Sequence, residues 1–118
     1  MSTVPSFRPK YPTQNVTLVF NFGPGLPTGV LLTGVTLEEI TPLNGRDLNA
    51  ATMVVSGPTI GSTDLQLANG TILPAGTYAT LVVSGGVDGI RYYIAIQGQT
   101  AILNLEPVCA GILPVGRL

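Results

Sequence analysis

A chain of 118 residues has room for one domain built around a single hydrophobic core. Hydrophobic residues make up 45% of it and charged residues only 9%, with a net charge of −1. Ordinary soluble domains carry roughly 25% charged residues, so either the surface is partly covered by other subunits or Thr, Asn, Gln and Ser keep it soluble; the first is favoured, since interface cores are poor in charge. The same balance excludes the basic field that nucleic acid requires and the polybasic segment of a membrane-surface protein.

Residues 1–13 contain Pro5, Pro9 and Pro12 beside Arg8 and Lys10. Proline fixes φ and cannot donate to a ladder, so an extended arm is expected there. The first predicted strand runs over 14–22, with Val16, Leu18, Phe20 and Phe22 on one face. A second is predicted over 30–40, where Gly34 marks a bulge or bend. A loop over 42–49 and a third strand over 52–56 follow, and Gly57-Pro58 opens another connection. Asn69-Gly70, set in apolar alternation over 65–73, predicts a two-residue type I′ hairpin.

The stretch 74–97 organises the chain in this reading. Ala79, Leu81 and Val83 form one strand face, and Ile90, Tyr92, Ile94 and Ile96 form another. The Ser84–Gly89 run between them predicts the turn of an antiparallel pair. A last strand is expected over 100–106. Residues 107–118 are apolar but broken by Pro107, Gly111, Pro114 and Gly116, which predicts a tail outside the sheets. Seven or so short strands read as an immunoglobulin-like (Ig-like) antiparallel β-sandwich with extended N- and C-terminal arms, a jelly roll being the alternative. The expected division is an arm over 1–13, a sandwich over 14–106 and a tail over 107–118. The core is expected from Leu18, Phe20, Phe22, Leu81, Val83, Ile94 and Ile96.

Chemistry is sparse. The chain has no histidine and one cysteine, Cys109, which removes Ser-His-Asp and Cys-His catalysis, thiolate metal sites and any intrachain disulfide. Cys109 reads as a small buried apolar residue. Of the six carboxylates, Glu38 and Glu39 end a predicted strand while Asp47 and Asp88 fall in predicted turns. A glycosidase pair therefore has little support. Gly57–Ser62 lacks the lysine of a phosphate loop, and no helix follows it. Asn15-Val16-Thr17 and Asn69-Gly70-Thr71 match the glycosylation sequon, but no secretory signal accompanies them. Tyr92, near the start of a late strand, is a candidate for a tyrosine corner, with ordinary core packing an equal alternative. No apolar run approaches the roughly 20 residues of a membrane span, and the first residues lack the apolar core of a signal peptide. A protein made in the cytoplasm is the expectation, with no catalytic residue, metal or cofactor.

Two segments carry a family resemblance. Arg8-Pro9-Lys10-Tyr11-Pro12 leads into Asn15-Val16-Thr17-Leu18-Val19-Phe20-Asn21-Phe22. Leu81-Val82-Val83-Ser84-Gly85-Gly86-Val87-Asp88-Gly89-Ile90-Arg91-Tyr92-Tyr93-Ile94 follows far downstream. Together they resemble the fibre–tail adaptors of tailed bacteriophages, small Ig-like virion proteins; the chain departs from that pattern in lacking tryptophan and in its apolar tail. The resemblance implies a non-enzymatic structural protein of the virion, assembled in the host bacterial cytoplasm. It would be present in several copies around the neck or tail, a head–tail connector or adaptor contacting other virion proteins and copies of itself, without nucleic acid or membrane. A capsid decoration protein is the alternative, and a carbohydrate-binding module a weaker one. The expected partner contacts are Phe7, Arg8, Lys10 and Tyr11 in the arm and Ile112, Leu113 and Val115 in the tail.

Overall fold

A computed structural model describes residues 5–116, so residues 1–4 of the predicted arm and 117–118 of the predicted tail lie outside the described residues. Among the described residues eight strands are present: β1 (Val16–Asn21), β2 (Leu32–Pro42), β3 (Val54–Ile60), β4 (Leu65–Gln66), β5 (Ile72–Leu73), β6 (Tyr78–Val83), β7 (Arg91–Thr100) and β8 (Val108–Pro114). Two short 3₁₀ turns, Gly23–Gly25 and Ala50–Met53, are the helical elements among the described residues. One sheet has the order β1-β6-β3, the other β2-β7-β8, and β4-β5 forms a separate hairpin. All named pairings are antiparallel.

This is an all-β sandwich. Reading β1, β2, β3, β6, β7 and β8 as strands B, C, D, E, F and G gives the B-E-D and C-F-G sheets of the Ig arrangement. A jelly roll would divide eight strands between its two sheets. Here β4 and β5 pair only with each other.

The inward alternation explains the core. Leu18, Phe20 and Phe22 from the β1 segment face Ile94 and Ile96 of β7 across the sandwich, with Leu81 and Val83 of β6 between strands, and all seven are buried. Leu113 and Val115 join the same cluster from the C-terminal segment. Buried apolar side chains of this size contribute about 1.5–3 kcal/mol each, which makes the two sheet faces mutually dependent.

Several expectations are corrected. The β6 and β7 segments are not a hairpin. β6 pairs with β1 and β3, while β7 pairs with β2 and β8, so residues 84–90 cross from one sheet to the other. The crossing is pinned by Tyr92, whose hydroxyl accepts the Val87 N–H at 2.9 Å, the upstream bond of a tyrosine corner.

The predicted last strand over 100–106 does not form: Thr100 ends β7 and residues 101–106 are a turn. There the Thr100 hydroxyl donates to the Leu105 carbonyl at 3.0 Å, and Asn104 takes a φ of 67°. The predicted tail is instead β8, in continuous register with β7 from Gln97↔Val108 to Arg91↔Pro114. Gly111 does not break it. A Cβ at that position would overlap the Phe7 ring, so glycine lets the N-terminal arm lie flat on the strand.

The third strand extends through Gly57-Pro58, a cis peptide, to Ile60. Gly34 does mark an irregularity, a register shift between Leu32 and Gly34. The Asn-Gly hairpin closes differently from the expected type I′. Gly70 N–H donates to the Leu67 carbonyl and Leu67 N–H to the Thr71 carbonyl, with φ 88° at Gly70. That is a three-residue loop in which only the glycine is left-handed, while the Asn69 side chain accepts the Thr71 N–H at 3.0 Å.

Candidate functional site

The arm and the C-terminal strand, expected to reach for neighbours, hold each other. Ser6 and Lys10 form parallel bridges to Ile112 and Val115. Phe7 N–H donates to the Ile112 carbonyl at 2.8 Å, Ile112 N–H to Pro5 at 2.9 Å, Lys10 N–H to Pro114 at 3.0 Å and Gly116 N–H to Lys10 at 2.8 Å. The prolines explain the pattern: they keep the arm extended, and the residues between them supply the donors.

Of the seven expected contact residues, five are enclosed or partly enclosed by this fold. Leu113 and Val115 are core residues, and Lys10 is only 1% exposed. Phe7 packs edge-on against Phe20 with ring centroids 5.2 Å apart. Ile112 is half-buried on the opposite face of β8 from Leu113. Arg8 and Tyr11 face solvent.

Lys10 is buried for a reason. Its Nζ donates to the carbonyls of Tyr11 at 2.7 Å, Pro12 at 3.3 Å and Gly85 at 2.5 Å, so every ammonium proton has an acceptor. Burial nevertheless lowers its pKa below the ordinary 10.5. It acts as a clasp between the arm and the crossover after β6. A lone lysine among prolines gave no sign of this role, because its acceptor at Gly85 lies 75 residues away.

Several other ionisable groups are also engaged in hydrogen bonds. Tyr92 donates to Asp47 Oδ2 at 2.7 Å, and Asp47 Oδ1 accepts the Asn49 N–H at 2.9 Å. Burial, then the Asp47 hydrogen bond, raise the Tyr92 pKa. Asp64 accepts the Ala75 N–H, Glu39 the Thr41 hydroxyl and Glu106 the Gln97 amide. Cys109 is half-buried, its thiol donating to the Asn21 carbonyl at 3.5 Å, and burial pushes its pKa up, away from a reactive thiolate. Among the described residues no group of three His, Cys, Asp or Glu side chains is placed to hold a metal.

What remains is an open apolar groove of about 940 Å³ between the arm and β1. Phe7, Pro9 and Tyr11 form one wall, Val16, Leu18 and Val19 the other, and among the described residues Arg8 is the one charged residue lining it. A second, shallower pocket of about 360 Å³ lies beside the Tyr92–Asp47 corner. Its one carboxylate already accepts two hydrogen bonds. The groove was not foreseen, although the uncharged, proline-free β1 sequence bordering it was plain to read. No family model, curated protein or solved structure matches the chain.

Proposed function

We propose that the protein is a non-enzymatic structural component of a tailed-bacteriophage virion, an adaptor joining tail or tail fibres to the particle through protein–protein contacts. The observation that carries this reading is its surface. With charged residues at 9% of the chain, large apolar side chains stand in solvent, among them Leu48 at 82% and Leu103 at 88% exposure. Leu48 follows β2 and Leu103 follows β7, and because β2 and β7 are antiparallel these loops lie at opposite ends of the sandwich. A module with apolar contacts at both ends suits a link between two neighbours in an assembly. Occupation of Asp47, Asp64, Glu39 and Glu106 in structural hydrogen bonds supports a role without catalysis.

The contacts of this adaptor are the exposed loops and the arm's outer residues Arg8 and Tyr11, since Lys10, Leu113 and Val115 are enclosed by the fold itself. The test is immunogold labelling of purified particles from the source host with antibody against the chain. Label confined to the neck or tail supports the adaptor. Label spread over the shell would mean a decoration protein, and particles without label would overturn the virion assignment.

A further inference from the structure

Each sheet edge of the sandwich can be compared. β3 carries Pro58 and two register shifts. β2 carries two register shifts and the charged pair Glu38-Glu39. β8 is covered by the arm. These are the usual devices that keep an edge from recruiting another strand. β1 has none of them: its six residues, VTLVFN, pair with β6 in unbroken register and include no proline, glycine or charge.

The direction of the free backbone groups follows from the pairing. Phe22 N–H donates to Thr77, so Phe22, Phe20, Leu18 and Val16 point their backbone groups at β6. Thr17, Val19 and Asn21 therefore point theirs outward. The Cys109 thiol on the Asn21 carbonyl agrees with this assignment. Thr17 and Val19 present two N–H and two C=O groups to the groove. In the four-stranded form of this sheet a strand A occupies that edge, but here the arm has crossed to β8.

We propose that the β1 edge is a docking site for an extended segment of a partner protein, which adds to the sheet as a further strand. The segment has apolar side chains at alternate positions, to lie over Val16, Leu18 and Phe7, and a carboxylate that meets Arg8. Backbone pairing supplies the attachment and the groove supplies selectivity. A second copy of β1 is the poorer occupant, because VTLVFN carries no carboxylate for Arg8. The inference does not rest on the virion reading, and purified protein alone tests it.

The experiment is selection of a displayed decapeptide library on the immobilised full chain, followed by amide mapping of the bound peptides with ¹⁵N-labelled protein. Selected peptides are expected to alternate apolar residues around an acidic one and to protect the Thr17 and Val19 amides from exchange. Val19→Pro removes an outward donor that no strand among the described residues uses, a change an edge strand tolerates, and should weaken binding at least tenfold. Arg8→Glu, at an exposed position, should shift selection from acidic to basic peptides, and this carries the test should Val19→Pro not fold. Absence of any binder, or binders that map elsewhere, would overturn the proposal. So would a free chain that sediments as a dimer with Thr17 and Val19 already protected, since the edge would then belong to a second copy.

Discussion

The Lys10 ammonium lies 2.5 Å from the carbonyl of Gly85, joining an N-terminal arm to the loop that carries the chain from one sheet to the other. That bond shows how the two termini became structural. The arm is fixed along β8 by backbone pairing and at its far end by a lysine with three carbonyl acceptors.

Lys10→Met keeps the stem and removes the donors, leaving the Tyr11, Pro12 and Gly85 carbonyls without this partner. Hydrogen bonds from a charged group are worth about 1.5–3 kcal/mol, and a loss of that size is expected in urea denaturation. Lys10→Arg should not restore it, because a planar guanidinium cannot aim at three carbonyls spaced for an ammonium.

Tyr92 sets part of the alkaline stability. Its pKa is raised in the folded chain, so its contribution is complete below the ordinary value of 10.0 and is lost as pH rises through the folded value. Lys10 has the opposite sign: its lowered pKa means stability recovers as pH rises toward 10.5. Tyr92→Phe isolates the first effect. The variant should be less stable than the parent at pH 7 by about 1–3 kcal/mol, from loss of the Asp47 and Val87 partners, and the gap should narrow above pH 10. Thermal unfolding of both proteins across pH 7–11 measures this.

Deleting residues 110–118 removes five of the seven β8 pairings together with Leu113 and Val115. The truncated chain should fail to give a cooperative unfolding transition. The sequence alone favours the opposite outcome, a sandwich that stays folded without its tail. The expectation changes because β8 is half of the covering that β7 requires.

Gly111→Ala places a methyl group against the Phe7 ring, which is itself held against Phe20. Overpacking of this kind costs about 1–3 kcal/mol. Replacing Phe7 by Leu in the same chain should recover part of it, and the double-mutant cycle measures the coupling.

The core was legible because alternation is local: Leu18, Phe20, Ile94 and Ile96 announce their faces within their own strands. Strand partners were not. Whether β6 pairs with β7 or with β1 depends on residues some sixty positions apart in chain order, such as Leu18 opposite Leu81. β8 was hidden by Gly111 and Pro114, which read as breakers. Gly111 in fact makes room for Phe7, and Pro114 is the terminal strand residue. The groove was hidden for the same reason, since an edge is open only by virtue of which strands lie elsewhere. Lys10, expected among the partner contacts, is enclosed because one of its three carbonyl acceptors, Gly85, lies 75 residues away in the chain.

Amide hydrogen exchange of the isolated chain, resolved residue by residue along β1, tests the central claim most directly. If the arm is committed to β8 and the β1 edge is open, protection alternates: Leu18 and Phe20 exchange slowly, and Thr17 and Val19 exchange near the rate of unpaired backbone. Uniform protection from Val16 to Asn21 would contradict the account, because it would mean that another strand already covers the edge.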